Sequence, residues 1–179
     1  ALGGINHLTF TDDNVSVKSI EVSTEFSDWL EQHLLLFNSH IAHVSGDLHK
    51  SVWQRYTNGD VEIINGLDII RDAGLMMAEG MANESKDTVI NAMKMNSSGV
   101  DILGLELHQP FRTKLNQLSA DGKVSAWKAM GAGGGGVVGI IIPDTSLSTS
   151  LIDELGTQGW SHIPWRIDYQ GVVRTEINL

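Results

Sequence analysis

Lys128-Ala129-Met130-Gly131-Ala132-Gly133-Gly134-Gly135-Gly136-Val137-Val138-Gly139-Ile140-Ile141-Ile142 is the stretch on which the fold turns. Five of the six residues from 131 to 136 are glycine, and each loses more backbone freedom on folding than another residue would. Geometry is the compensation: glycines accept positive φ, expose consecutive amides and let a ligand touch the backbone. Successive N–H groups turned inward form a concave site suited to phosphate, and Lys128 stands just upstream to add a charge. The plainer alternative is a loop that lets a strand pass close to a helix. No Gly-Lys-Ser/Thr follows the glycines, as a P-loop requires. A dinucleotide fold needs a helix after the loop, whereas a β-branched run over 137–142 follows, broken by Gly139 and stopped by Pro143. The segment 124–130 before the loop is also strand-like. This is a glycine loop between two strands.

Outward from the loop, 144–148 offer caps for a helix through Leu155 that Gly156 and Gly159 end. Residues 162–167 and 172–177 then read as a final strand pair joined through Asp168-Tyr169-Gln170-Gly171. At the other end, Ile5-Asn6-His7-Leu8-Thr9-Phe10 and 15–22 alternate apolar and polar around Asp12-Asp13-Asn14, which predicts a β-hairpin. Phe26, Trp29 and Leu30 mark a short helix, and Leu34-Leu35-Leu36-Phe37 a buried strand. The middle is helical: 47–56, then 61–81 capped by Asp60 after Asn58-Gly59, then 86–95 capped by Ser85, then a helix to Leu118 with Pro110 in its first turn. Strands at both ends with helices between predict one α+β domain over 1–179. Its antiparallel sheet carries helices on one face, and strand-helix-strand near the end is compatible with a ferredoxin-like split βαβ unit.

Composition narrows the function classes. The chain has 179 residues, 22 acids against 12 bases and a net charge of −10. That disfavours nucleic acid, which needs clustered Lys and Arg. No apolar run approaches the ~20 residues that span a bilayer, so a membrane partner is not expected. The absence of cysteine removes disulfides and thiolate metal sites and fits a reducing compartment, so a cytoplasmic location is expected. The opening at Ala1, running straight into a strand through Leu2-Gly3-Gly4, reads as a segment of something longer.

Gly131-Ala132-Gly133-Gly134-Gly135-Gly136 followed by an apolar strand resembles the third conserved motif of the GHMP kinases, the family of galactokinase, mevalonate kinase and homoserine kinase. The likeness is greatest to the D-glycero-D-manno-heptose 7-phosphate kinase and fucokinase branch. Leu2-Gly3-Gly4-Ile5-Asn6 is similar to the Phe-Gly-Gly-Phe-Asn that opens the second half there. Leu34-Leu35-Leu36-Phe37-Asn38-Ser39 is similar to its Leu-Leu-Leu-Phe-Tyr-Thr strand, and Lys128 stands where the family commonly has a lysine. Pro164-Trp165-Arg166-Ile167-Asp168 resembles the closing Pro-Phe-Arg-Phe-Asp. The likeness spans nearly the whole chain, with the glycine motif its diagnostic part. Two stretches depart from the pattern. His40-Ile41-Ala42-His43 replaces a Gly-x-x-Arg-type turn, and 96–108 do not match the usual Trp-x-x-Lys segment.

The resemblance implies a ferredoxin-like GHMP C-terminal domain and a two-domain kinase using ATP and Mg2+. The ATP-cradling Gly-Leu-Gly-Ser-Ser loop and the branch's aspartate are not found in this sequence. It therefore implies no catalytic residue here, no tight nucleotide binding by this chain alone, and inactivity without a companion N-terminal domain. The substrate class implied is a sugar or sugar phosphate. Gly131, Ala132, Gly133, Gly134, Gly135, Gly136 and Lys128 would serve the phosphate region, and His40 and His43 would contact substrate. His40, His43, His49 and Asp47 match no strong zinc motif, so no metal site is assigned. Ser45 and Ser51 lack a Gly-x-Ser-x-Gly elbow. Met76, Met77, Met81, Met93 and Met95 read as core filling, and the five tryptophans mainly as core or edge packing. Two rival readings stand beside the kinase: a stand-alone ligand-binding or self-associating module reusing the fold, and an acyl-binding or nucleotide-sensing ferredoxin-like domain. The partner of the isolated chain would be the missing domain or a second copy.

Overall fold

The computed structural model describes residues 2–41, 45–104, 109–131 and 133–173, with the backbone alone for 45–49 and 110. Ala132 and His43, two of the expected site residues, lie outside the described residues, as do the side chains of Asp47 and His49. The elements run β1 (Ile5–Thr11), β2 (Asn14–Ile20), α1 (Thr24–His33), β3 (Leu34–Asn38), α2 (Ser45–Thr57), α3 (Val61–Ala82), α4 (Lys86–Leu103), α5 (Gln109–Ala120), β4 (Ala126–Ala129), β5 (Val137–Ile141), α6 (Ser148–Gly156) and β6 (Ser161–Ile163).

β3 to β6 form one antiparallel sheet in the order β4-β5-β3-β6. β3 and β4 are thus parallel with β5 between them, and β5 and β6 are parallel with β3 between them. These are two interlocked split βαβ units, the ferredoxin-like arrangement. Strand periodicity sends alternate side chains to opposite faces. Leu35, Phe37, Trp127, Ala129, Val138 and Ile140 are all buried on one face, against Phe111, Leu115 and Leu118 of α5 and Leu151 and Leu155 of α6. The opposite face is also covered at one end, where Ala126, Ile141 and Leu34 meet Phe26, Trp29 and Leu30 of α1 and Val89 and Met93 of α4. The α+β class and the antiparallel sheet are as the sequence predicts, and the helical cover extends to this second face.

The third helix of the middle region is longer than its periodicity predicts, running to Leu103 rather than Met95. Ser97-Ser98-Gly99 resembles a helix stop, yet Gly99 serves packing. A Cβ there would lie 2.7 Å from Ile70 Cγ1 and 2.9 Å from the Gly66 carbonyl, so the two glycines let α3 and α4 approach closely. The closing strand is shorter than expected: β6 ends at Ile163 and residues 164–168 carry no ladder. Pro164 breaks the pairing, after which the Trp165 indole donates to the Leu34 carbonyl at 2.7 Å and the Ile167 amide to Glu31 Oε1 at 2.9 Å. Residues 172 and 173 are not in a strand, and 174–177 of the expected partner strand lie outside the described residues.

β1 and β2 form a separate two-stranded hairpin in the register Leu8↔Val17 and Phe10↔Val15. All four of these side chains share one face, and they are 44%, 47%, 72% and 55% exposed in that order. Its entry is anchored to the body: the Gly4 amide donates to the Asp168 carbonyl at 2.7 Å, and a Cβ on Gly3 would lie 2.3 Å from the Tyr169 carbonyl.

Candidate functional site at the glycine end of the sheet

The loop from 131 to 136 closes β4 onto β5, with the Met130 amide donating to the Val137 carbonyl at 2.8 Å. Gly131, Gly133, Gly134 and Gly136 have φ of 70°, 78°, 75° and 73°. This left-handed backbone costs an L side chain roughly 1–2 kcal/mol per residue, which explains the glycines physically. Beside them ends β3. The Ser39 amide and hydroxyl both donate to the Gly136 carbonyl at 2.9 Å, and the Gly136 amide donates to the Ile41 carbonyl at 3.1 Å. One amide of the expected cup is therefore committed to the protein, and Gly133 and Gly135 are buried.

His40 lies next to this junction in a left-handed conformation with φ 56°, unusual for a non-glycine residue. Two hydrogen bonds hold it there: its amide donates to Asn38 Oδ1 at 2.9 Å, and its Nε2 pairs with Ser161 Oγ at 2.7 Å. Left-handed backbone of this kind is what glycine adopts freely. Such strain persists only where its surroundings over-determine it, and it concentrates at ligand sites.

Lys128 sits three cross-strand rows behind the loop, paired with Gly139, with the Ala129–Val138 and Met130–Val137 pairs between. That row continues through Leu36 to Ile163 on the half-covered face of the sheet. Lys128 and β3 are two strands apart, about 10 Å at the usual strand spacing. Its ammonium donates to the Ala129 carbonyl at 3.0 Å, and burial pushes its pKa down from the ordinary 10.5. The unfolded chain therefore holds this proton more tightly, and the domain gains stability from this group as pH rises from the lowered pKa toward 10.5. Lys128→Met is expected to raise stability at neutral pH by about 0.5–2 kcal/mol and to flatten this alkaline rise, which urea titrations at pH 7 and pH 10 would measure.

The structure thus joins the glycine loop to the His40 turn and sets Lys128 behind both. Three further residues belong to the junction: Asn38 and Ser161, which hold His40, and Ser39, buried at 6% exposure. The sequence signals for Asn38 and Ser39 are a polar pair following an apolar strand run and the likeness of that run to the family's Leu-Leu-Leu-Phe-Tyr-Thr strand. Ser161 carried none, because its role depends on β6 pairing beside β3.

No protein-family model matches the sequence, and no curated protein is similar to it by sequence. Solved structures do match by fold. A protein from Campylobacter jejuni described as a sugar kinase superposes with a TM-score of 0.60 at 18% identity, over 95% of this chain and 45% of its own. A D-glycero-D-manno-heptose 1-phosphate kinase from Bacteroides thetaiotaomicron gives 0.62 at 13% identity, over 95% and 44%. The fold is that of these kinases. Streptococcus pneumoniae phosphomevalonate kinase shares it, with a TM-score of 0.62 at 17% identity over 86% of this chain and 44% of that enzyme. The chain spans less than half the length of each of these three kinases. Among the described residues, no helix is long and apolar enough to cross a membrane.

Proposed function

We propose that this chain is the C-terminal half of an ATP-dependent kinase acting on a sugar or sugar phosphate, and that the 131–136 loop borders its phosphate and substrate cleft. The observation that carries the reading is the junction of five glycines with the strained His40 turn at one end of a ferredoxin-like sheet. Phosphoryl transfer asks the protein for positioning and charge stabilisation. The Gly131 and Gly134 amides would face phosphate oxygens, Lys128 would add positive charge behind them, and His40 with Ser161 would order substrate hydroxyls. ATP and Mg2+ would enter with a companion N-terminal half, and the chain alone would be inactive. Mixing it with the N-terminal half of a matching sugar kinase and measuring substrate-dependent ADP release tests this. Recovery of turnover supports the reading, whereas a folded mixture that stays silent removes it.

The one-sided apolar hairpin supports the need for a companion. Leu8, Phe10, Val15 and Val17 present a sheet face that a second sheet or a second copy would cover. The isolated chain is expected to self-associate, and Phe10→Lys to return it to monomer without changing its helical content. Sedimentation velocity at matched concentrations reads both, and a wild-type chain that stays monomeric at high concentration contradicts the expectation.

A further inference from the structure

α2 and α3 diverge from the short turn at 58–60 and leave between them a groove of about 860 Å3. Its apolar walls are Val52, Trp53 and Tyr56 from α2 and Ile64 and Leu67 from α3. Trp53 is 65% exposed and Tyr56 43%, and their rings stand 5.9 Å apart at 30°. The expectation of core or edge packing therefore fails for Trp53. A large ring held open to water beside a second one, in an apolar groove of this size, has the makings of a small-molecule site.

Charge identifies what fits. Tyr56 and Ile64 lie nearest the turn, whereas Lys50, Arg71 and the acid Asp68 lie toward the other end, so the groove grades from aromatic to charged along its length. Arg71 is already held by Asp68 at 2.7 Å and Asp72 at 3.0 Å. Among the described residues Lys50 forms no ion pair, and it stands exposed on the rim of the groove in a chain of net charge −10.

We propose that this groove binds a small organic monoanion with a flat apolar body, the ring lying on Trp53 and Tyr56 and the carboxylate on Lys50. The site is separate from the glycine loop and does not depend on the kinase reading. Isothermal titration with 2-naphthoate and its neutral analogue 2-naphthylmethanol tests it, with circular dichroism to check that each variant is folded. The carboxylate should bind at least about fivefold more tightly than the alcohol, as one charge-assisted contact predicts. Trp53→Ala should weaken naphthoate about tenfold, and Lys50→Gln should bring the two ligands to equal affinity. Equal binding by the native chain, no binding of either compound, or binding indifferent to Trp53→Ala would each overturn the proposal.

Discussion

Changing Gly134 and Gly136 together to alanine is expected to lower the stability of the domain by about 2–4 kcal/mol, from roughly 1–2 kcal/mol for each left-handed L residue. It should also cut reconstituted ADP release by about 100-fold or more. Both glycines sit at φ near 75°, so an added Cβ is strained whatever room surrounds it. Relaxing that strain moves the loop, and Gly136 cannot move alone. Its carbonyl receives both donors of Ser39 and its amide is spent on Ile41, so the His40 turn shifts with it. Ångström-scale misplacement of a positioning group is enough for a hundredfold loss of rate. Urea unfolding gives the stability term, and the assay is run where the variant remains folded. Activity lost only in proportion to the unfolded fraction would assign the glycines a purely structural role. Gly139→Ala is the control: its Cβ would meet the movable Cε of Met130 at 2.3 Å, which a rotamer change relieves.

The second large effect belongs to Phe37. Its ring is fully buried near the end of β3, among Phe111, Leu115 and the β5 side chains Val138 and Ile140, and it lies 5.5 Å from the His162 ring. Phe37→Ala should cost about 3–5 kcal/mol, the transfer term plus the cavity left in a packed layer. Against a total of roughly 5–15 kcal/mol, that alone brings the domain near its unfolding threshold. The cavity would open one residue from Asn38, whose side chain holds His40, so loss of packing here is expected to loosen the site as well. Chemical denaturation measures the cost, and a shift below about 1 kcal/mol would mean that the layer is not packed as described.

What could be read from the sequence was whatever local pattern encodes. The alternation over 5–10, the apolar run 34–37 and the caps at Asp60 and Ser85 depend only on neighbouring residues, and each lies on the element expected of it. Errors arose where distant partners decide. Gly99 looks like a helix end in isolation and is a contact point for Gly66 across the α3–α4 pair. The strand-like 164–167 has no ladder beyond Pro164: the Trp165 indole donates to the distant Leu34 carbonyl and Glu31 takes the Ile167 amide. In the candidate site, the five glycines announced their own conformation. Their attachment to Ser39 and Ile41, and the clamp of Ser161 on His40, appear only when β3 lies between β5 and β6. Trp53 gave no sign that it would face water.

The central claim is that the loop presents free amides to an anion, and titrating the 15N-labelled chain with inorganic pyrophosphate tests it most directly. Millimolar affinity, near −4 kcal/mol, is enough to see. The amides of Gly131 and Gly134, the two glycines of 131–135 that are not buried, should move progressively with the anion, and that of Gly136, already bonded to Ile41, should move least. If those two shift no more than the turn glycines Gly59 and Gly122 up to ~20 mM pyrophosphate, a range that would reveal any millimolar site, the loop is not an anion cradle.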